Sequence, residues 1–348
     1  MRRGKVTASP PGVVFANTRS RRLLLITGLL AAVLAAVLLS LAVGSKFIPP
    51  LDVLQALGGT TDTETGAIVN GLRLPRTLLG VLAGVALGIA GAVIQGHTRN
   101  PLADPALLGI TQGAALGIVA VVMIGGVTSL FGYVWFGFAG ALIATITVFV
   151  IGATGRGGPT PVTLALAGAA VSYLLQGLIS AVVLFDTDVT DIYRFWKAGS
   201  LVGSNLDVLG QATPFVIVGI VLALANTSAL NALGLGEDTA RALGHRVFLA
   251  RAVGIGSIVL LTGAVVAIAG PLGFVGLVVP HLARGITGPD YRWLVPVAGL
   301  LGVVMVLVAD IAGRLVLDKG ELPAGIMLAF VGVPFFIVLV RRRKLVSI

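Results

Sequence analysis

Apolar residues in this chain fall in long runs, not in alternation. The runs cover about 23–43, 74–97, 105–124, 131–151, 161–185, 208–226, 248–269, 271–286, 293–312 and 323–340. Most hold about 20 residues, the length a helix needs to cross a bilayer. None shows a period of two, and a barrel strand would need only about ten residues. The pattern predicts an all-α polytopic membrane protein with ten spans. Gly270-Pro271 separates the seventh run from the eighth, because proline cannot continue a helix without losing a backbone hydrogen bond. The eighth run is short and carries Pro280, so the pattern leaves its full crossing open.

Charge adds a direction. Arg2, Arg3, Lys5, Arg19, Arg21 and Arg22 precede the first run. Its apolar stretch exceeds the about 7–15 residues of a secretory signal core, so it reads as an uncleaved first span. Ten spans put both termini on one side. With the termini in the cytoplasm, 17 of the 24 Lys+Arg lie inside and 10 of the 14 Asp+Glu lie outside. The net charge of +10 then divides into an inner face of +13 and an outer face of −3. This is the bias that sets orientation in membrane proteins. Residues 1–22 become a basic cytoplasmic segment, and 23–344 a single transmembrane domain in the cytoplasmic membrane.

Composition agrees. Hydrophobic residues make up 57% and charged residues 11%, against about 25% charged in soluble domains. A soluble α/β enzyme could not coat its surface with so few charges. Disorder is excluded by the hydrophobicity. The chain has no cysteine, so disulfides and cysteine-held zinc or iron–sulfur sites are impossible. Gly80, Gly84 and Gly88 on the second span, and Gly109, Gly113 and Gly117 on the third, give each a smooth face for close helix packing. Such a face serves either packing within the chain or a seam between two chains.

Several chemistries are missing. There is no Walker A phosphate loop, no H-E-x-x-H and no G-x-S-x-G. His97, His245 and His281 lie far apart in sequence, at expected cytoplasmic ends. Asp310 and Arg314 stand one helical turn apart near an outer end, where they are expected to pair. Mid-membrane ionisable residues are almost absent, whereas ion-coupled carriers keep them in the bundle. Transport driven by another subunit suits the sequence better than a secondary carrier or a membrane-embedded enzyme.

Particular strings sharpen this. Between the second and third spans run Gln95-Gly96-His97-Thr98-Arg99-Asn100-Pro101-Leu102-Ala103-Asp104-Pro105, then Leu108-Gly109. Asp104 suits a helix cap and Pro105 the first helical position. Others are Arg73-Leu74-Pro75-Arg76, Trp196-Lys197-Ala198-Gly199-Ser200-Leu201, and Leu235-Gly236-Glu237-Asp238-Thr239-Ala240-Arg241-Ala242-Leu243-Gly244. Further on come Gly270 to Arg284, Glu321 to Gly325 and Val333 to Phe336. Together, over about residues 23–344, the chain resembles the FecCD-type permease subunits of bacterial ABC importers for vitamin B12, haem and iron–siderophore complexes. Asn100, Pro101, Asp104 and Pro105 form that family's cytoplasmic signature turn. The stretch Arg194 to Ser200 looks closest to the ferric siderophore permeases.

Residues 235–244 have a reading of their own. Acidic Glu237 and Asp238 suit a helix N-terminus, Arg241 follows one turn later, and Gly244 suits a C-terminal cap. A short capped helix on the cytoplasmic surface is predicted. The resemblance makes this segment, about 228–247, the coupling element that docks on an ATPase, through Leu235, Gly236, Glu237, Asp238, Arg241, Leu243 and Gly244. Arg73 and Arg76 are expected to face outward about fixed Pro75, ready for bidentate carboxylate binding or simple interfacial anchoring. The resemblance makes them, with Arg314, sockets for a substrate-binding protein. Ser172, Gln176 and Ser180 recur every four residues and share a face. A polar stripe meets other helices or water, not lipid. The resemblance places it on the translocation path, with Gln95 a weaker candidate. It also implies a second permease, more often diverged than identical, two ATP-binding subunits and an extracytoplasmic binding protein. No cofactor is implied in this chain; ATP and Mg belong to the partner ATPase. No nucleic acid is implied.

Overall fold

A computed structural model describes residues 19–59, 63–154, 160–203, 205–317 and 319–341. Arg2, Arg3, Lys5, Arg156, Arg342, Arg343 and Lys344, used above for the charge count, lie outside these residues. The described chain is helical, with no strand among the described residues. Its first half contains α1 (Arg19–Ala42), α2 (Pro50–Leu57), α3 (Thr63–Gly66), α4 (Leu74–Thr98), α5 (Ile110–Gly125), α6 (Leu130–Ala153) and α7 (Pro161–Phe185). Its second half contains α8 (Thr187–Lys197), α9 (Leu206–Ala225), α10 (Thr227–Gly234), α11 (Glu237–Ala242), α12 (Val247–Ala269), α13 (Val275–Thr287), α14 (Tyr291–Leu315) and α15 (Ala324–Arg341). Seven helices are long and apolar enough to cross a membrane, and three shorter apolar ones, α5, α13 and the stretch Ala324–Leu339, accompany them.

Local chemistry sets the helix ends. Thr160 and Thr163 form a reciprocal capping box that starts α7. The Asn205 side chain accepts from the Val208 N–H at 2.8 Å to start α9. The Asp290 side chain does the same for α14 through the Arg292 N–H. Asp104 and Pro105 act as cap and first residue as expected, but of a 3-10 turn, Pro105–Leu108. The α-helix begins only at Ile110, five residues later than the apolar run. Gly270, at φ 71°, ends α12, and the backbone stays non-helical until Val275. The 13 residues of α13 then span about 20 Å, short of a hydrocarbon core about 30 Å thick.

Two helices form the middle of the bundle. Buried residues make up 78% of the most apolar window in α12 and in the helix ending at Thr98, but only 17% in α1 and in α7. α4 packs on α14, α12 and α13, while α5 packs on α6 and α7. The glycine faces make these contacts inside the chain. A Cβ on Gly84 would lie 2.5 Å from the Val303 Cα, and one on Gly88 would strike the Ala298 carbonyl. Gly113 and Gly117 meet Gly140 and Phe136 of α6 in the same way. The α4–α14 and α5–α6 crossings are therefore backbone against backbone.

Substituting Gly84→Val is expected to lower the thermal unfolding midpoint in detergent, at a cost of about 1–3 kcal/mol or more. Gly256→Ala, whose Cβ would meet nothing within 4 Å, serves as the control and is expected to stay within about 0.5 kcal/mol of wild type.

Candidate functional site

One end of the bundle gathers the ends of α1, α4 and α14 around three arginines. Arg73 and Arg76 flank the first residues of α4, and Arg314 sits one turn after Asp310 on α14. Arg73 is buried and donates to the carbonyls of Leu41 at 2.8 Å, Ala42 at 2.7 Å and Lys46. It therefore takes up the free carbonyls at the C-terminus of α1. Arg314 donates to the carbonyls of Ser40 at 2.7 Å and Val43 at 2.9 Å, and to the Asp310 carboxylate at 2.5 Å. Arg76 reaches the same carboxylate at 2.8 Å and Glu321 at 2.5 Å. Asp310 is fully buried and holds two guanidinium groups from different helices.

This corrects the expected outward sockets. Arg73 and Arg314 are enclosed, their donors are committed to backbone carbonyls and Asp310, and Arg76 is mostly covered. The Asp310–Arg314 pair was legible from its one-turn spacing. Arg76 and Glu321 were not, since Arg76 stands 234 positions from Asp310 and 245 from Glu321.

The opposite end holds α10 and α11. Gly236, at φ 111°, and Gly244, at φ 86°, bracket α11 in backbone conformations that side chains resist. Arg241 donates to Asp238 at 2.9 Å and to Glu237 at 3.2 Å, the one-turn pairs that the spacing predicts. Glu237 turns inward to Arg251 of α12, a partner that sequence reading missed. Leu235 and Leu243 stand on either side of α11, 69% and 61% exposed and mostly uncovered by the described residues.

The third constellation surrounds α7. Ser172, Gln176 and Ser180 share a face as expected, and the Gln176 amide donates to the Ser180 hydroxyl at 3.2 Å. Tyr173, Leu174 and Leu178 beside them are exposed. Ser172 also lines a cavity of about 350 Å³ with Asp104, Pro105, Thr111, Gln112, Thr262 and Gly276. The signature turn and the polar stripe, read separately from sequence, thus meet at one cavity. Gln112 Oε1 and Thr262 Oγ1 are buried there without a hydrogen-bond partner among the described residues. Burial raises the Asp104 carboxyl above its ordinary value, opposed by the hydrogen bond from the Ala106 N–H. Asn100 accepts from the Leu102 N–H at 2.9 Å, which closes the turn, and Pro101 follows it half-buried.

Gln95 is a second correction. It is fully buried, donates to the Gly276 and Leu277 carbonyls at 3.3 Å each, and accepts from Arg284 at 3.2 Å. It stitches α4 to the start of α13. The signal was available in part: a glutamine amid small residues on a glycine-rich helix lies where backbones approach.

Comparison with known proteins follows the same pattern. The profile of the FecCD transport family matches residues 29–342. The ferric enterobactin transport system permease protein FepD of Escherichia coli (strain K12) is 45% identical over 322 residues, 92% of this chain and 96% of that protein. The cobalamin import system permease protein BtuC of Halobacterium salinarum is 40% identical over 282 residues, 81% of this chain and 75% of that protein. Among solved structures, a transporter described as metal-chelate type ABC, in an inward-facing conformation, superposes with TM-score 0.79 at 30% identity, covering 91% of this chain and 99% of that one.

Asp310→Ala is expected to cost about 3–5 kcal/mol, because it leaves the enclosed Arg314 guanidinium without a carboxylate and Arg76 with Glu321 alone. Thermal unfolding of the purified chain measures it. Glu64→Ala, which removes the exposed Lys46 pair, is expected to leave the midpoint unmoved.

Proposed function

The chain belongs to the FecCD transport family, and from that premise we propose that it is the transmembrane permease of an ATP-driven importer that carries a ferric siderophore into the cytoplasm. The seven long and three shorter apolar helices are taken as ten crossings, with both termini in the cytoplasm. The +13 and −3 charge division supports that orientation. Two permeases, identical or diverged, form the membrane unit. Two ATP-binding subunits sit inside, and a substrate-binding protein delivers the chelate from outside. ATP and Mg act on the ATPase, and this chain is not itself an enzyme.

The observation that carries the reading is α11. A short helix held between two positive-φ glycines shows Leu235 and Leu243 uncovered at the basic end of the molecule. Exposed leucines on a surface element outside the apolar spans call for a protein partner. Docking on the ATPase supplies one. At the acidic end, Arg73, Arg76 and Arg314 act on the binding protein indirectly, by fixing the helix ends that form its seat. The face of Ser172, Gln176 and Ser180 lines the path between the two permeases. A ferric siderophore is favoured by the 45% identity to an enterobactin permease, and cobalamin or haem is the second reading, supported by the 40% identity to a cobalamin permease.

Uptake of radiolabelled ferric siderophores, haem and cobalamin by the reconstituted complex tests the substrate. Siderophore uptake that stops when the ATPase is lost is expected, and uptake that follows an ion gradient instead would sink the importer reading. Leu235→Asp with Leu243→Asp is expected to weaken ATPase binding by at least about tenfold per leucine, matching the about 1.5–3 kcal/mol of a buried leucine. Since the chain has no cysteine, Gln176→Cys and Ser180→Cys can be labelled with a polar thiol reagent without background from this subunit. Labelling in at least one nucleotide state is expected.

A further inference from the structure

The element α11 has an inner side as well as an outer one. Its outer side carries Leu235, Leu243 and the exposed Asp238. Its inner side places Ala240 among Ala229, Ala232, Leu233, Val247 and Ala250, an apolar cluster separate from the main core. α10, α11 and the first turn of α12 are thus one small packed unit.

Charge ties this unit to the bundle at one place. Among the described residues, α11 makes three ion pairs. Two of them, from Arg241 to Glu237 and to Asp238, stay within α11. The third joins Glu237 to Arg251, which is one turn into α12 and only 8% exposed. A buried guanidinium left without a carboxylate is strongly unfavourable, so the pair resists separation. α12 in turn is among the most enclosed helices of the bundle.

Asparagine amides extend the unit without adding a further ion pair. The Asn226 amide donates to the Ala250 carbonyl at 3.0 Å and faces His97 Nε2 of α4 at 3.0 Å. Asn231 bridges the Asp290 carboxylate and the Tyr291 N–H at the start of α14, at 2.8 and 2.9 Å. These contacts leave from α10 and its N-terminal cap, whereas among the described residues Glu237 is the side chain of α11 that ion-pairs outside it.

We propose that Arg251 is a positioning residue for transport: it locks α11 to α12, so that displacement of α11 by the ATPase is passed into the centre of the bundle. The proposal rests on the reading of α11 as the ATPase-docking element. Loss of the pair leaves α11 seated on its apolar cluster at the first turn of α12 and docked on its partner, but without its charged link to the enclosed part of α12. ATP is then hydrolysed without matching movement of substrate.

The test measures ATP hydrolysis and siderophore uptake in the same proteoliposomes containing the full complex. Arg251→Ala is expected to lower uptake per ATP hydrolysed by about 5- to 150-fold, the usual span of coupling between sites. Arg251→Lys is expected to recover part of that ratio. The charge-swapped double variant Glu237→Arg with Arg251→Glu is expected to lose less than the product of the two single losses, which isolates the pair. A wild-type ratio in Arg251→Ala overturns the proposal. So does a proportional fall of hydrolysis and uptake with the ratio unchanged, since that marks a purely structural role. The pair Leu235→Asp with Leu243→Asp separates the two readings. If those substitutions leave ATPase binding and uptake intact, the docking assignment of α11 fails. If they abolish binding while Arg251→Ala behaves as wild type, only the lock fails.

Discussion

Close approach of backbones around α4 is the constraint on which the rest of this structure depends. Lipid gives helices no hydrophobic reason to associate, so they hold by van der Waals contact and by polar groups that find partners only in one another. Here the contact is made by removing side chains. Gly84 and Gly88 lie against Val303 and Ala298 of α14, and Gly91 lies against Gly276 of α13. Each contact brings two main chains together with no Cβ between them. Polar groups then come within reach across the seam: Gln95 touches two α13 carbonyls because Gly91, one turn earlier, has already drawn the helices together. The same close approach seats Pro105 and Asp104 against Gly276 and so builds the polar cavity beside Ser172.

Charge acts at the two rims. At one end, Asp310 gathers Arg76 and Arg314, and the arginines reach the carbonyls that close α1. At the other, Arg251 gathers Glu237, and Asp290 gathers Asn231. Buried pairs of this kind add little net stability compared with well-packed apolar residues, but they penalise any arrangement in which one partner is stranded. Their value is therefore in fixing which helix ends meet. The rims are clasped by charge and the middle by glycine, which lets the middle stay nearly free of ionised groups.

Much of this was legible in the sequence, and the remainder was hidden for a physical reason. Apolar run length found the seven long apolar helices and the three shorter ones of the described residues, and Gly270-Pro271 marked the break before α13. Turn chemistry placed the caps at Asp104 and around α11. Two things escaped. Amphipathic α8 carries Asp188, Asp191, Arg194 and Lys197 and so drops out of a search for apolar runs, although Val189, Tyr193 and Trp196 make a buried stripe at helical spacing. The partners of the arginines also escaped. Spacing reveals pairs one turn apart, such as Asp310 with Arg314, but nothing local says that Arg73 will cap α1 or that Glu237 will prefer Arg251 to solvent. Those outcomes depend on which helices become neighbours, and glycine faces say that a neighbour comes close without saying which one.

The same reasoning bears on what α7 lacks. Most of its surface is uncovered by this chain, and Tyr173, Leu174 and Leu178 stand exposed beside Gln176 and Ser180. Apolar side chains are at ease in lipid, but an amide and a hydroxyl are not. Their mutual hydrogen bond satisfies one donor and one acceptor, and leaves the second amide hydrogen and the amide oxygen of Gln176 without a hydrogen bond among the described residues. Gln95, by contrast, is enclosed, Thr262 is turned into the cavity, and the exposed Thr147 hydroxyl bonds the Ile143 carbonyl of its own helix. A face whose amide lacks such partners suits a surface other than lipid. Water in a shared path, walled on its far side by a second permease, would supply the missing partners and cover the leucines together. Under the proposed function, α7 is the edge at which a second permease would join this chain.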